Sequence, residues 1–471
     1  MSDLHARIAR SFETTAVPSL SEYVAIECLS PAFDPSWEST GAIEAAVQHL
    51  VAWARSRKIA DLAVSIQRLE GRTPVIVIDV GSTGDDVGTA LLYGHLDKQP
   101  PLGSWSEGLA PFVPVRRGDL LFGRGTADDG YSLYSALIAI EALEAGGLPH
   151  GRCVLLIEAS EESGSPDLEV HLDQLVARLG DVNLVVCLDS GALDFDRLWI
   201  TSSLRGNLVI TVQVEVLTHG VHSGEASGVV PSSFRILRQL LDRIEDPETG
   251  ETRVDELRVQ PPAHLLAAAA TLADELDDPL SRAFPAVSDL ALMGRDGADR
   301  LIRQAWSTSV SVIGIDGVPS VAEGGNVLRP STTAKLSIRI PPSVDAHAAQ
   351  DAVVATLRAA PPSGATVSVH AEQPAQGWVA APLAPWLKDA VDEASTLAFG
   401  RPAGVLGEGG SIPFLAALGI RFPEAQFVAT GVLGPGSNAH GPDESLHIPC
   451  AISVTTALGV ILSAHARRSR R

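Results

Sequence analysis

The sequence predicts an α/β protein: a catalytic domain with a mostly parallel sheet flanked by helices, interrupted by an inserted α+β domain. Three observations carry this. Four runs, "VIVIDV" (75–80), "TALLYGH" (89–95), "CVLLIEAS" (153–160) and "LVVCLDS" (184–190), are continuously apolar rather than alternating, as strands covered on both faces are. Near residue 203 the pattern switches to strict alternation, with "NLVITVQVEV" (207–216) placing Leu208, Ile210, Val212, Val214 and Val216 on one face. After about residue 385 the apolar, glycine-rich pattern of the first part returns in "WLKDAVDEAST" and "FVATGVLG". The expected organisation is therefore a first domain over 1–202 and 385–471, with a second over 203–384.

Each element has its own signal. "YSLYSALIAIEALEAGG" carries Leu133, Leu137, Ile140 and Leu143 at helical spacing and ends in Gly-Gly, which predicts a helix with a glycine stop. In the second domain "AKLSIRIPP" (334–342) and "ATVSVHAE" (365–372) repeat the half-exposed strand pattern, and "PSSFRILRQLLDRIED" (231–246) reads as a helix between them. Residues 245–310 are acidic and alanine-rich, with "AHLLAAAATLADELDD" as an exposed helix to which no chemistry attaches. "AISVTTALGVILSA" (451–464) reads as a buried C-terminal helix, and "RRSRR" as a solvated tail.

Composition narrows the function. The chain has 471 residues, enough for two or three domains, and 45% hydrophobic against 5% aromatic residues, so its cores are aliphatic. With 57 acidic and 35 basic side chains its formal charge of −22 disfavours nucleic acid and anionic membranes as partners. The start, "MSDLHARIARSFETT", lacks the apolar core of a signal peptide, and no stretch reaches the ~18 uninterrupted apolar residues of a membrane span. Four cysteines, at 28, 153, 187 and 450, show no C-x-x-C spacing and read as reduced, buried thiols, which points to the cytoplasm.

The chemistry gathers at the strand ends. "LLYGHLD" ends in His95 and Asp97, "GRGTADDG" presents Asp128 and Asp129 before the helix, "IEASEES" gives Glu161 and Glu162, and "VVCLDS" gives Asp189. Singly, each has a plain structural role open to it: a buried histidine, a cap, a charge at a helix N-terminus, a solvated turn. Together they belong to one crevice, because ligands of open α/β sheets collect outside the carboxyl ends of the strands. Such a cluster of acids repels unless cations compensate it. A pair of divalent ions requires a bridging carboxylate, histidine and carboxylate ligands, and a water between them. In His-x-Asp, Asp97 can fix the tautomer of His95. Of the adjacent acids, Glu162 reads as a ligand and Glu161 as the general base. A second histidine, His440, lies in the glycine-rich "GPGSNAHGPDE".

These segments, with "CLDSG", "THGVHSGEASG", "NVLRPSTTAKLSIRIPP" and "GEGGSIP", resemble the di-zinc aminoacylase, carboxypeptidase and dipeptidase family that includes carnosine dipeptidases and succinyl-diaminopimelate desuccinylase. The resemblance spans most of the chain in the family's order. It implies His95, Asp128 and Asp189 on one metal and Asp128, Glu162 and His440 on the other, with Asp128 bridging. It further implies that the inserted domain is a lid and dimerisation domain of a homodimer, whose His222 reaches the partner's active site to support the oxyanion. Asn326, Arg339, Gly410 and Ser411 match substrate-holding positions, Arg339 through the substrate carboxylate. One departure stands out: many dipeptidase-like members read Asp-Asp-Lys-Gly where this chain has "DDGY".

The expected activity is that of a metal-dependent exopeptidase acting on small peptides, most simply dipeptides with a free carboxylate. Glu161 would deprotonate the attacking water and return the proton to the leaving amine. The ligand set, oxygen and imidazole without thiolate, suits Zn²⁺ and also Mn²⁺ or Co²⁺. Two alternatives stand beside this: an N-acyl-amino-acid deacylase or desuccinylase using the same site, and a catalytically silent binding protein of the same fold.

Overall fold

Continuous apolar runs become the interior of a six-stranded sheet. In the computed structural model, which describes residues 2–85 and 87–468, the strands lie in the order Leu62–Gln67, Val75–Val80, Arg152–Glu158, Thr89–His95, Val182–Cys187 and Gln426–Ala429. The last four strands pair in parallel, while the two at the other edge are antiparallel. Every residue of Thr89–His95 is buried, as its uninterrupted hydrophobicity requires. The strand at 62–67 was not legible as a buried run because its residues are only half-covered.

The helix foreseen after "DDG" spans Ser132–Ala145 and is buried on all sides, so it behaves as a core element rather than an amphipathic cover. Glycine at 147 takes a left-handed backbone just past its end. It packs against the 20-residue C-terminal helix Ile448–Arg467 and the N-terminal helix Ser2–Ser11. Ile448–Arg467 is, among the described residues, the one helix long and apolar enough to cross a membrane, and most of it is buried within the fold. Residues 469–471 of the basic tail lie outside the described residues.

The chain divides into two compact units. The first comprises residues 1–202, 380–406 and 417–471; the second comprises 203–379 and 407–416. The expected switch at 203 coincides with the start of the second unit. The return falls at 380 instead of 385, and residues 407–416 join the second unit instead of the C-terminal part. "GEGGSIP" has the glycine-rich look of the first unit, but the Arg205 guanidinium donates to the Gly409 carbonyl (3.1 Å) and that of Arg339 to the Ser411 hydroxyl (3.0 Å). Side-chain anchoring of this kind leaves no periodic trace in a sequence.

Within the second unit, a four-stranded antiparallel sheet runs Ser309–Asp316, Ser331–Ile340, Gly206–Glu215, Thr366–Ala371. Gly206–Glu215 alternates buried and half-buried residues along its length, and helices Ser233–Leu241 and Ala346–Arg358 cover its apolar face. The edge strand Ser309–Asp316 exposes Val312, Ile313 and Ile315. Helix Ala263–Glu275 is exposed over most of its surface, with Ala269 its only buried residue.

Candidate metal centre

Parallel strands end at the same edge of their sheet, and this brings the first unit's acids together. His95 closes its strand and Asp97 follows it. Asp128 and Asp129 stand in the turn before helix Ser132–Ala145, with a cis peptide bond between them. Glu161 and Glu162 occupy a single tight turn, Glu161–Ser163, just beyond strand Arg152–Glu158. Asp189 lies two residues past Cys187, and His440 sits in the loop before the C-terminal helix.

Two groups of donors emerge. In the first, the Nε2 atom of His95 lies 3.2 Å from Asp128 Oδ1 and 3.7 Å from Asp189 Oδ2. In the second, His440 Nε2 lies 3.0 Å from Asp128 Oδ2 and 3.3 Å from Glu162 Oε2. Within each group the three donor atoms lie within 4.8 Å of one another, and Asp128 contributes one oxygen to each. His95, Asp128 and Asp189 are buried, whereas the His440 side chain is 54% exposed, which leaves one side of the second group open.

Asp97 does more than was expected of it. Its backbone carbonyl is the nearer partner of His95 Nδ1, at 3.1 Å, with its carboxylate at 3.5 Å. That carboxylate accepts the backbone N–H groups of Glu161 (3.1 Å) and Glu162 (3.0 Å), so Asp97 holds the two-acid turn by its side chain and the imidazole by its backbone carbonyl. Gln99 donates to Glu162 Oε2 at 2.7 Å. The sequence reading overlooked Gln99, although it stands two residues after Asp97.

Electrostatics shows how unnatural the cluster is without cations. Burial pushes Glu161 and Glu162 well above the usual carboxylate range, and the nearby acids add to the effect. Asp129 is raised by burial and by Asp189, and among the described residues one of its oxygens has no hydrogen-bond partner. Glu158, buried beneath the site, is pushed up to about 7, although Tyr93 and Ser165 donate to it. Burial alone would lower His95 and His440, but hydrogen bonds to Asp128 and neighbouring acids raise both. Asp128, despite its burial, is held far below the usual range by those two imidazoles. Two imidazoles cannot neutralise Asp97, Asp128, Asp129, Glu161, Glu162 and Asp189, so an oxygen- and imidazole-rich donor set of this kind fits divalent cations.

The backbone at "DDGY" leaves no room for a side chain at position 130. A Cβ at Gly130 would meet the Gly125 carbonyl oxygen and the Tyr23 ring. Tyr23 in turn holds the buried ammonium of Lys98, which lies 4.0 Å from its ring centroid and donates to its carbonyl at 2.9 Å. Tyr131 is buried and donates its hydroxyl to the Leu188 carbonyl.

The residues expected to hold substrate fall in the second unit. His222 is exposed; its Nδ1 accepts the Gly224 N–H at 3.1 Å, and it pairs with Val327 beside Asn326, whose carbonyl accepts the Ser223 N–H. Arg339 and Ser411 meet directly, with Gly410 exposed next to them. The sequence reading did not single out Arg205, which is 9% exposed and lowered to about 10 by burial and by the neighbouring Arg339. Among the described residues neither arginine makes an ion pair with an acid.

Comparison with known proteins identifies the family. The sequence pattern of peptidase family M20/M25/M40 matches residues 91–462. The chain is 27% identical over 374 residues to a cysteinylglycine-S-conjugate dipeptidase of Corynebacterium striatum, covering 79% of each. Its fold is similar to that of a solved dipeptidase from Saccharomyces cerevisiae (TM-score 0.81, 22% identity, 99% of this chain and 98% of that one). It is equally similar to human carnosine dipeptidase 1 (TM-score 0.81, 21% identity, again 99% and 98%). With four-fifths of its length matched and its acids gathered in two donor groups, the chain belongs to peptidase family M20/M25/M40 and is a metal-dependent hydrolase.

Proposed function

We propose that the protein is a dipeptidase that holds two divalent ions, one by His95, Asp128 and Asp189 and one by Asp128, Glu162 and His440. The observation that carries this reading is the single carboxylate of Asp128 divided between two three-donor groups, with Glu161 beside them and belonging to neither. When bound, the ions supply Lewis acidity to a carbonyl oxygen and make a water easier to deprotonate. Glu161 takes the proton from the attacking water on its carboxylate and delivers it to the departing amine. Burial and neighbouring acids raise its proton affinity in the metal-free cluster, and the cations it is assigned to work beside would oppose that rise. Asp97 orients both the acceptor and its neighbour through their backbone N–H groups. Zn²⁺ fits the thiolate-free set, with Mn²⁺ and Co²⁺ as alternatives decided by metal analysis.

In the second unit, Arg339 with Ser411 and Gly410 is assigned to the substrate carboxylate, since a planar guanidinium can pair both oxygens. Asn326 is likewise assigned to substrate and His222 to the substrate of a second copy, and the exposed apolar edge strand Ser309–Asp316 suits pairing in a homodimer. The four free, buried cysteines suit a reducing cytoplasm. The test is hydrolysis of a dipeptide panel against N-acetyl and N-succinyl amino acids after loading with each metal. Dipeptide cleavage is the expected result. Cleavage confined to the acylated amino acids would make the enzyme a deacylase or desuccinylase, and no cleavage with any metal would make it a silent binding protein.

A further inference from the structure

Arg124 and Glu444 form a buried ion pair, Nη1 to Oε2 at 2.6 Å, between side chains 1% and 0% exposed. Each charge is used beyond the pair. The other carboxylate oxygen, Oε1, accepts the backbone N–H groups of Gly125 (3.0 Å), Ala127 (3.2 Å) and Asp128 (3.3 Å). Arg124 Nη2 donates to the Gly441 carbonyl at 2.8 Å, one residue beyond His440. The Gly123 N–H donates to the Glu444 carbonyl at 2.9 Å, closing the connection from the backbone side. One pair thus ties the turn that carries Asp128 to the loop that carries His440, segments more than 300 residues apart in sequence.

The loop needs such a tie. His440 has φ +63° and Asn438 φ +51°, both in the left-handed region that side chains with a Cβ enter only at a cost. The His440 side chain is half exposed, so its own packing supplies little restraint. The Arg124 bond to Gly441 and the Glu444 bond to Asp128 fix the two backbones on which the second donor group depends.

We infer that the Arg124–Glu444 pair is a positioning device for the metal centre, setting the approach of His440 to Asp128 and hence the affinity of the ion held with Glu162. The inference rests on the assignment of these residues as metal ligands. Its test is calorimetric titration of Zn²⁺ into the chelator-stripped full-length protein, wild type against Glu444→Gln and Arg124→Lys. The conservative lysine keeps the charge but loses the second arm to Gly441. Two ions are expected in the wild type; in each variant one affinity falls at least tenfold and the other by less than threefold. Turnover at low Zn²⁺ falls in parallel and is recovered by raising Zn²⁺.

Unchanged affinities in folded variants would overturn the inference. So would equal loss of both ions with no recovery at high metal, or failure of both variants to fold, since either assigns the pair to stability alone. If only Glu444→Gln fails to fold, Arg124→Lys decides. A wild type that binds no ion would instead remove the metal-centre reading itself, an outcome distinct from all of these.

Discussion

The two units bury charge of opposite sign. In the first, six carboxylates converge with two imidazoles. In the second, Arg205 and Arg339 lie side by side, both lowered by burial and neither paired with an acid among the described residues. Like charges held together out of water are unfavourable unless a ligand of the opposite sign completes them. On the proposed reading each unit takes the ligand that offsets its charge, cations in the first and the substrate carboxylate in the second. Buried Arg124 and Glu444, by contrast, neutralise each other.

This contrast can be broken most decisively at Glu161. Glu161→Gln keeps the volume and both donor groups, so metal stoichiometry stays at two while kcat falls about 10²–10⁴-fold; retained turnover would remove Glu161 from its role. A smaller effect is expected in the second unit. Arg339→Met should raise KM for dipeptides about tenfold to a hundredfold, the range of a charge-assisted hydrogen bond, and leave C-terminally amidated peptides unaffected. An equal loss on both substrate types would show that the arginine pair does not read a carboxylate.

Stripping the metal sharpens the comparison through pH. Glu158, Glu161, Glu162 and Asp129 hold protons in the fold above the pH at which unfolded carboxyls lose them, near 4.5 for Glu. His95 and His440 likewise keep theirs above 6.5. All six therefore bind more protons folded than unfolded, so stability of the metal-free protein falls as pH rises from about 4.5 through 7, the value to which Glu158 is pushed. Asp128, which is lowered, has the opposite sign but acts only below its ordinary value of 3.8. Thermal melts should show the chelated protein losing several degrees between pH 6 and pH 8, with added Zn²⁺ suppressing the loss; identical profiles with and without metal would contradict the charge argument. The smallest change is expected at an exposed side chain outside both clusters. Leu266→Gln, on the exposed helix Ala263–Glu275, should alter stability by no more than about 0.5 kcal/mol in denaturant melts and leave kinetics untouched.

Much of this was legible in the chain itself. The buried strands announced themselves because a sheet covered on both faces requires unbroken apolar residues. The acids did so because they stand where those runs stop. Half-covered strand Leu62–Gln67 and the segment 407–416 were not legible: the first lacks a one-sided pattern, and the second is held by arginines distant in sequence. Glu444 and Arg124 were visible as letters in "NAHGPDE" and "GRGTADDG", yet nothing local marks two residues as partners.

Spacing along one chain sets the strand and helix periods, the change of hydrophobic pattern near 203 and the residue types able to hold cations. It does not reveal that Asp128 faces both imidazoles, that Asp97 grips the Glu161–Glu162 turn, or that Arg205 stands near Arg339. Those are distances between segments tens to hundreds of residues apart, and they are set by how sheet, helices and loops pack together rather than by any neighbour in sequence.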